Sequence, residues 1–282
     1  MIRLDRADPR YPRALLDLGS PPDPVWVEGD ATLLGRRAIS IVGTRRMSPY
    51  GARIARELAS TTAQLGVIVV SGLAQGIDSV GHEAALESRG ATIAVLGAGL
   101  PRCLQDLRGR RRMLARDIAA NGALVSEFPP QAPPQTWTFA QRNATIAALG
   151  AFTVVVEAPR DSGALITAAY ARRLGRGVYA IPGPVGASGS EGTNGLIASG
   201  HARALIGAAM LRELLGQPRE AAAPAVVSLD ARLLDALAAG PADADTLARS
   251  LGLAAPALAT VIARLVIRGA ITSAPDGRLV RR

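Results

Sequence analysis

Three short glycine-bearing runs in this sequence gather the residue types that hold an anion. Val42-Gly43-Thr44-Arg45-Arg46 leads into Ser48-Pro49-Tyr50-Gly51 and a helical period. Gly43 lets a ligand approach the backbone, Ser48-Pro49 is a good helix start, and Arg45 and Arg46 stand where a phosphate would meet the positive end of that helix. Ser71-Gly72-Leu73-Ala74-Gln75-Gly76-Ile77-Asp78 adds a hydroxyl and two glycines, with Asp78 placed to cap the next helix. Ser162-Gly163 offers an N-cap and an open approach at a third helix start. Between the second and third runs stand Trp137, Phe139, Arg142 and Asn143, in a chain with only 3% aromatics. A ring beside an arginine is the pairing that stacks a base and grips its phosphate.

Each feature also has a plainer reading. Arginines flanking a turn are commonly a solvated pair, Trp137 reads equally as a core anchor, and Asp78 with His82 at i and i+4 reads as a helix-start ion pair. No general base is spaced beside a nucleophile in these runs, so they suit holding an anion better than cleaving a bond.

Several enzyme classes drop out. All 32 basic residues are arginine; without lysine there is no Walker A lysine, no pyridoxal Schiff base and no Ser-Lys pair. His82-Glu83 would need a second histidine where Leu86 stands, and His82, His201 and Cys103 are too few for a zinc site. Neither a metal nor a cofactor is expected. The longest charge-free stretch, Leu58 to Ile77, carries three glycines and six Ser, Thr or Gln residues, so no membrane span is expected and the cytoplasm is the default compartment.

The elements that must position these runs are legible as short apolar segments alternating with helical ones. Ala38 to Val42, Val67 to Ser71, Thr92 to Leu96, Ala123 to Ser126, Thr153 to Glu157 and Gly177 to Ile181 read as strands buried on both faces. The segments between them have the length of crossover helices; in Pro49 to Leu65, Ile54, Leu58 and Leu65 share a stripe. Repeated βα units predict a doubly wound α/β sheet, with its site at the carboxyl ends of the strands. Residues 1–215 are assigned to this domain, with 1–37 as a lead-in.

Residues 216–226, GQPREAAAPAV, break the pattern and read as a linker. Residues 227–282 then show three short helices, Leu229 to Ala239, Thr246 to Leu251 and Pro256 to Arg268, followed by Ile271-Thr272, the turn Pro275-Asp276-Gly277 and Leu279-Val280. That order describes a small winged helix. Its seven arginines and five aspartates give +2 of the chain's +9, leaving +7 on the larger part. Such an excess is compatible with a polyanionic partner, although a biased genome produces the same composition.

Taken in order, VGTRRMSPYG, VSGLAQGIDSVGHEAAL, ATIAVLGAGL, GALVSEFPP, FAQRNATIAAL, VVVEAPRDSGALITAAYA, GRGVYAIPGP and EGTNGLIASGHA resemble the DprA/Smf family of bacterial DNA-processing proteins over roughly residues 10 to 205. The resemblance implies an extended Rossmann-like sheet with a C-terminal winged helix, no enzymatic activity, and a homodimer. It implies binding of single-stranded DNA, protection of incoming strands in natural transformation and competence, and loading of RecA; single-strand-binding protein is a further candidate partner. Carried over, Gly43, Thr44, Arg45 and Arg46 would meet phosphates, and Ser71 and Gly72 would supply backbone contacts. Phe139 would stack on a base, Arg142 and Asn143 would grip the neighbouring backbone, and Ser162 with Gly163 would complete the pocket.

This sequence departs from the family after Gly99, where Pro101-Arg102-Cys103-Leu104 precedes Arg108, Arg110, Arg111, Arg112 and Arg116. That run would widen a DNA footprint or form a solvated helix face. Two other functions stay open. A phosphoribohydrolase-like nucleotide enzyme would need a Pro-Gly-Gly-x-Gly-Thr loop before a catalytic glutamate, whereas Gly192-Thr193 is followed by Asn194. A duplex-DNA regulator would use the tail, with Arg264, Arg268, Arg278, Arg281 and Arg282 near its recognition helix and wing.

Overall fold

A computed structural model describes residues 1–216, 229–238, 240–267, 269–274 and 277–281. They fall into two compact units, Met1–Gln217 and Pro218–Arg282. The expected linker lies, apart from Gly216, outside the described residues, as do Pro275 and Asp276 of the expected wing turn.

The strands of the first unit are β1 (Ile2–Leu4), β2 (Val25–Gly29), β3 (Ala38–Val42), β4 (Ile68–Ser71), β5 (Thr92–Leu96), β6 (Ala123–Ser126), β7 (Phe152–Val155), β8 (Gly177–Ala180) and β9 (Arg203–Ala204). They form one nine-stranded sheet in the order β1-β2-β6-β5-β4-β3-β7-β8-β9. From β6 to β9 all neighbours are parallel, whereas β1 pairs with β2, and β2 with β6, antiparallel. Alternate side chains of the parallel strands enter opposite cores, which is why these strands are nearly continuous in apolar residues. In β3, Ala38 and Val42 face one core while Ile39 and Ile41 face the other.

The helices are α1 (Pro49–Gln64), α2 (Ile77–Glu87), α3 (Leu100–Asp106), α4 (Gly109–Asn121), α5 (Thr136–Leu149), α6 (Gly163–Arg173), α7 (Glu191–Ala198) and α8 (Ala208–Leu214). Helices α5 and α6 cover the first face; α1, α2 and α8 cover the second, with α3 and α4 continuing it beside β5 and β6. Helix α1 shows how a sequence secures such a position. Ser48 accepts a hydrogen bond from the Gly51 N–H at its start, Pro49 fits the first turn, and Ile54, Ala55, Leu58 and Ala59 are buried on one stripe. Truncating fully buried Leu58 to alanine would cost about 2–5 kcal/mol.

Residues 1–37 do more than lead into the sheet, because β1 and β2 extend it past β6. The Arg176 side chain ties this segment down, donating to Ala147 O, Gly150 O and Ala14 O and pairing with Asp17 at 3.0 Å. Chain order reverses across β3 and β7, so the crevice at their carboxyl ends is the topological switch point where doubly wound sheets hold ligands.

The second unit contains α9 (Leu229–Ala238), α10 (Ala244–Leu251), α11 (Ala255–Ile267), β10 (Ile271–Ser273) and β11 (Leu279–Arg281). The strands pair antiparallel, giving the winged-helix arrangement of three helices and a hairpin around Leu233, Leu237, Leu247, Leu258, Val261 and Leu265. Asp243 caps α10 through the Thr246 N–H, and Gly252, with φ of 64°, ends it in the left-handed conformation that glycine adopts without strain. Among the described residues no single helix is long and apolar enough to cross a membrane.

Candidate nucleic-acid interface

A cleft of about 740 Å³ opens at the carboxyl ends of β3 and β7. Its walls are the loop after β3, the face of α5 and the amino end of α6. The first wall holds Gly43, Thr44, Arg45 and Arg46; the second holds Phe139, Arg142 and Asn143; the third holds Ser162 and Gly163. Residues separated by more than a hundred positions thus meet because the switch point gathers their strand ends. Ser71 and Gly72 do not line the cleft, although Ala74 of the same loop and Asp78 in the first turn of α2 do.

The loop after β3 is fixed from both sides. Thr44 N–H donates to Glu157 O at 2.7 Å, Thr44 O accepts from Ile77 N–H at 3.2 Å, and Thr44 Oγ1 accepts from Arg46 N–H at 3.1 Å. This frame leaves the Arg45 and Arg46 side chains exposed, and neither pairs with a carboxylate among the described residues. The amino end of α1, expected to meet a phosphate, already holds an anion of the protein itself. Glu157 Oε2 accepts from the Ser48 N–H at 2.9 Å, and a side chain at Gly51 would collide with that carboxylate. The positive charge of this loop therefore resides in the two exposed guanidinium groups.

Phe139 is 36% exposed, with Arg45 Cζ 5.9 Å and Arg142 Cζ 6.0 Å from its ring centre. One cation is at the surface and the other is buried. Arg142 is only 5% exposed, and its Nη1 donates to Gly72 O and Val95 O, each at 2.6 Å. Burial opposes its charge, and nearby Asp78 supports it. Asp78 is itself buried, which pushes its carboxyl upward, while Arg142 and the N–H groups of Ala74 and Gly72 pull it back. Asp78 thus braces the loop ahead of α2 instead of capping the helix.

The expected Asp78–His82 pair does not form. His82 Nδ1 lies 2.7 Å from Thr92 Oγ1, which donates its own proton to Val69 O, so the network assigns the proton of that contact to Nδ1. Burial, helped by Arg142, holds the imidazole neutral and lowers its pKa to about 3. Ser71 is likewise structural, donating to Ile41 O at 2.6 Å. Trp137 is 56% exposed and stands edge-on to Phe128 at 5.8 Å, outside the cleft lining; it is neither a core anchor nor a cleft ring.

At the third wall Ser162 Oγ accepts from Ala164 N–H, and Asn143 Nδ2 donates to Gly163 O at 3.2 Å, joining α5 to α6. The Gly163 N–H, at the first position of α6, has no acceptor within the helix. A residue search by type overlooked Thr136 and Ala140 on α5 and Ile166 and Thr167 on α6, which also line the cleft. Helical spacing carries that signal: Thr136 and Ala140 precede Phe139 and Asn143 by three residues each, and Ile166 and Thr167 follow Gly163 by three and four.

Residues 3–216 match the family model for DNA recombination-mediator protein A, and residues 217–277 match the DprA winged helix domain. Protein Smf of Escherichia coli is 44% identical over 192 residues, 67% of this chain and 50% of that protein, so the chain spans about half the length of this relative. The putative DNA processing protein DprA of Mycobacterium tuberculosis is 39% identical over 272 residues, 92% of this chain and 69% of that protein. Among solved structures, DprA of Streptococcus pneumoniae superposes with a TM-score of 0.69 at 32% identity, covering 76% of this chain and 73% of that one. DprA of Helicobacter pylori, described with its single-stranded DNA binding mode, gives 0.66 at 28% identity, covering 72% and 92%. With the sheet unit and the winged helix each matched in order along the sequence, the chain belongs to the DprA family of DNA recombination-mediator proteins.

Proposed function

We propose that this chain binds single-stranded DNA in the switch-point cleft and acts there as a recombination mediator, holding the strand without cleaving it. The observation that carries this reading is Phe139, half-exposed on the cleft wall with a free guanidinium on one side and a fixed one on the other. A ring in that setting stacks any base, worth about 1–3 kcal/mol, while cations beside it take the flanking phosphates. In a duplex the base faces are covered, so the same ring favours an unpaired strand. Arg45 and Arg46 take phosphates on one wall, and the Gly163 N–H at the positive end of α6 takes one on the other. Arg142 holds the ring and the loop beneath it in place.

The family relationship supports the wider role: a homodimer that shields incoming single strands during natural transformation and transfers them to RecA, in the cytoplasm, with single-strand-binding protein as a further partner. Filter binding with short oligothymidylates tests the core of the reading. Affinity should fall steeply with salt and drop in Arg45→Glu; equal affinity of that variant would overturn the site. A RecA-loading assay on strands coated with this protein, run beside a gel-filtration mass, tests the wider role. Release of free base from a nucleoside monophosphate would replace the reading with an enzymatic one.

A further inference from the structure

Six arginines and two aspartates occupy residues 102–117, a net +4 within the +7 carried by residues 1–226. Two of these cations are neutralised locally, Arg102 by Asp106 and Arg110 by Glu83. Arg108, Arg111, Arg112 and Arg116 are exposed and pair with no carboxylate among the described residues.

This surface is continuous with the cleft. Arg142 Nη1 donates to Gly72 O at 2.6 Å, and Arg111 Nε donates to the next carbonyl along, Leu73 O, at 3.2 Å. Consecutive residues lie about 3.8 Å apart between Cα atoms, so a cleft arginine and an α4 arginine are anchored to one short loop, whose Ala74 lines the cleft. The half-buried Cys103 feels both charges. Helix α4 also begins in an electrostatically unfavourable way. Arg108 makes no side-chain cap, the first turn holds no acidic residue, and Arg110, Arg111 and Arg112 occupy the end of the helix dipole that repels cations. External phosphates would relieve that repulsion.

We propose that Arg108, Arg111 and Arg112 form a second phosphate-binding segment, so that a single strand leaving the cleft crosses the Gly72–Ala74 loop and runs over the amino end of α4. The inference rests on the cleft reading above and extends its footprint. The contact is with backbone alone, because residues 100–121 contain no aromatic side chain. It therefore adds affinity that is independent of base sequence and sensitive to salt.

The test compares the full-length wild type with the triple variant Arg108→Gln, Arg111→Gln, Arg112→Gln on two oligothymidylates, one spanning only the cleft and one several times longer, across a salt titration. On the short strand the two proteins should bind alike. On the long strand the variant should lose up to about 2 from the slope of log K against log salt, at about 0.7 per phosphate contact. An unchanged slope on the long strand would overturn the proposal, and so would an equal loss on both strands. If the wild type binds neither strand, the cleft reading itself fails and this one falls with it. Melting at low salt supplies a second readout. The variant removes cations from the first turn of α4 but also loses the Arg111–Leu73 and Arg108–Gln105 backbone contacts, so the melting temperature should shift only slightly in either direction with α4 still helical. A large fall with loss of helix would assign these arginines a structural role and overturn the proposal.

Discussion

The cleft of the sheet unit and helix α11 of the winged helix both set an arginine among apolar side chains, but they treat its charge in opposite ways. In the cleft, Arg45 and Arg46 are exposed without a carboxylate partner among the described residues, and buried Arg142 binds carbonyl oxygens. On α11 the only charged residue, Arg264, lies against both oxygens of Asp230 on α9, its Nε 3.1 Å from each. A cation already matched by a carboxylate adds little field at the surface. Unmatched ones sum into a potential that draws a polyanion. On this contrast we propose that the switch-point cleft, and not α11, is the stronger DNA-binding surface.

Substitutions can break or sharpen this contrast, and the largest effect should come from Arg142. Arg142→Gln leaves Gly72 O and Val95 O without their donor and Asp78 without its supporting cation. It should lower stability by about 3–5 kcal/mol, read by urea unfolding. Arg45→Glu, exposed, should leave the urea midpoint unchanged, so that framing and binding arginines separate within one cleft. If Arg142→Gln unfolds like the wild type, the assignment of Arg142 as a frame is wrong.

Next comes pH. The folded chain keeps His82 neutral with a pKa of about 3, against 6.5 for a free side chain, so the unfolded state takes up a proton that the folded state refuses. That stabilising contribution is complete above about pH 6.5 and is lost as pH falls toward 3, at up to about 1.4 kcal/mol per pH unit. Protonation would place an N–H on Nε2, which is buried without a partner among the described residues. Asp78, raised by burial, works in the opposite sense, losing stability as pH rises through its folded pKa. Comparing His82→Gln with the wild type isolates the histidine, and the variant's melting temperature should depend less on pH over that window.

Affinity changes follow. Arg45→Glu should weaken short single-strand binding on the order of 30-fold at low salt, an effect that shrinks as salt rises. Phe139→Ala should cost about 1–3 kcal/mol with little dependence on base identity, measured by fluorescence anisotropy. The smallest effect belongs to the other side of the comparison. Arg264→Gln in the winged helix should leave single-strand affinity unchanged, and a loss as large as that of Arg45→Glu would erase the distinction between the two regions.

The sheet strands were legible wherever both faces are buried. The predicted runs Ala38 to Val42, Thr92 to Leu96 and Ala123 to Ser126 coincide with β3, β5 and β6, because a strand between two cores reads as a near-continuous apolar run; its few hydroxyls, Ser40, Thr92 and Ser126, each donate to a backbone carbonyl. Strand β2 was missed because it pairs antiparallel beyond β6, alternates buried with half-exposed residues, and follows Pro21, Pro22 and Pro24, which read as loop. Strand β9 has two residues, too few for any period. The site loops were visible because glycine, serine and arginine at strand ends are recognisable by type, and Phe139 stood out by scarcity.

The partners of those side chains were not visible. Nothing in the spacing of Glu157 from Ser48 announces that its carboxylate occupies the amino end of α1, and nothing local to Arg142 separates it from Arg45. Residue type, period and order determined by themselves a doubly wound sheet, a winged helix, the family, and the loops that must converge at the switch point. Only the tertiary structure decided which arginines are buried against carbonyls and which stay exposed. That choice depends on which distant backbone groups surround each guanidinium, and contacts across the crossovers of a parallel sheet leave no trace in local sequence.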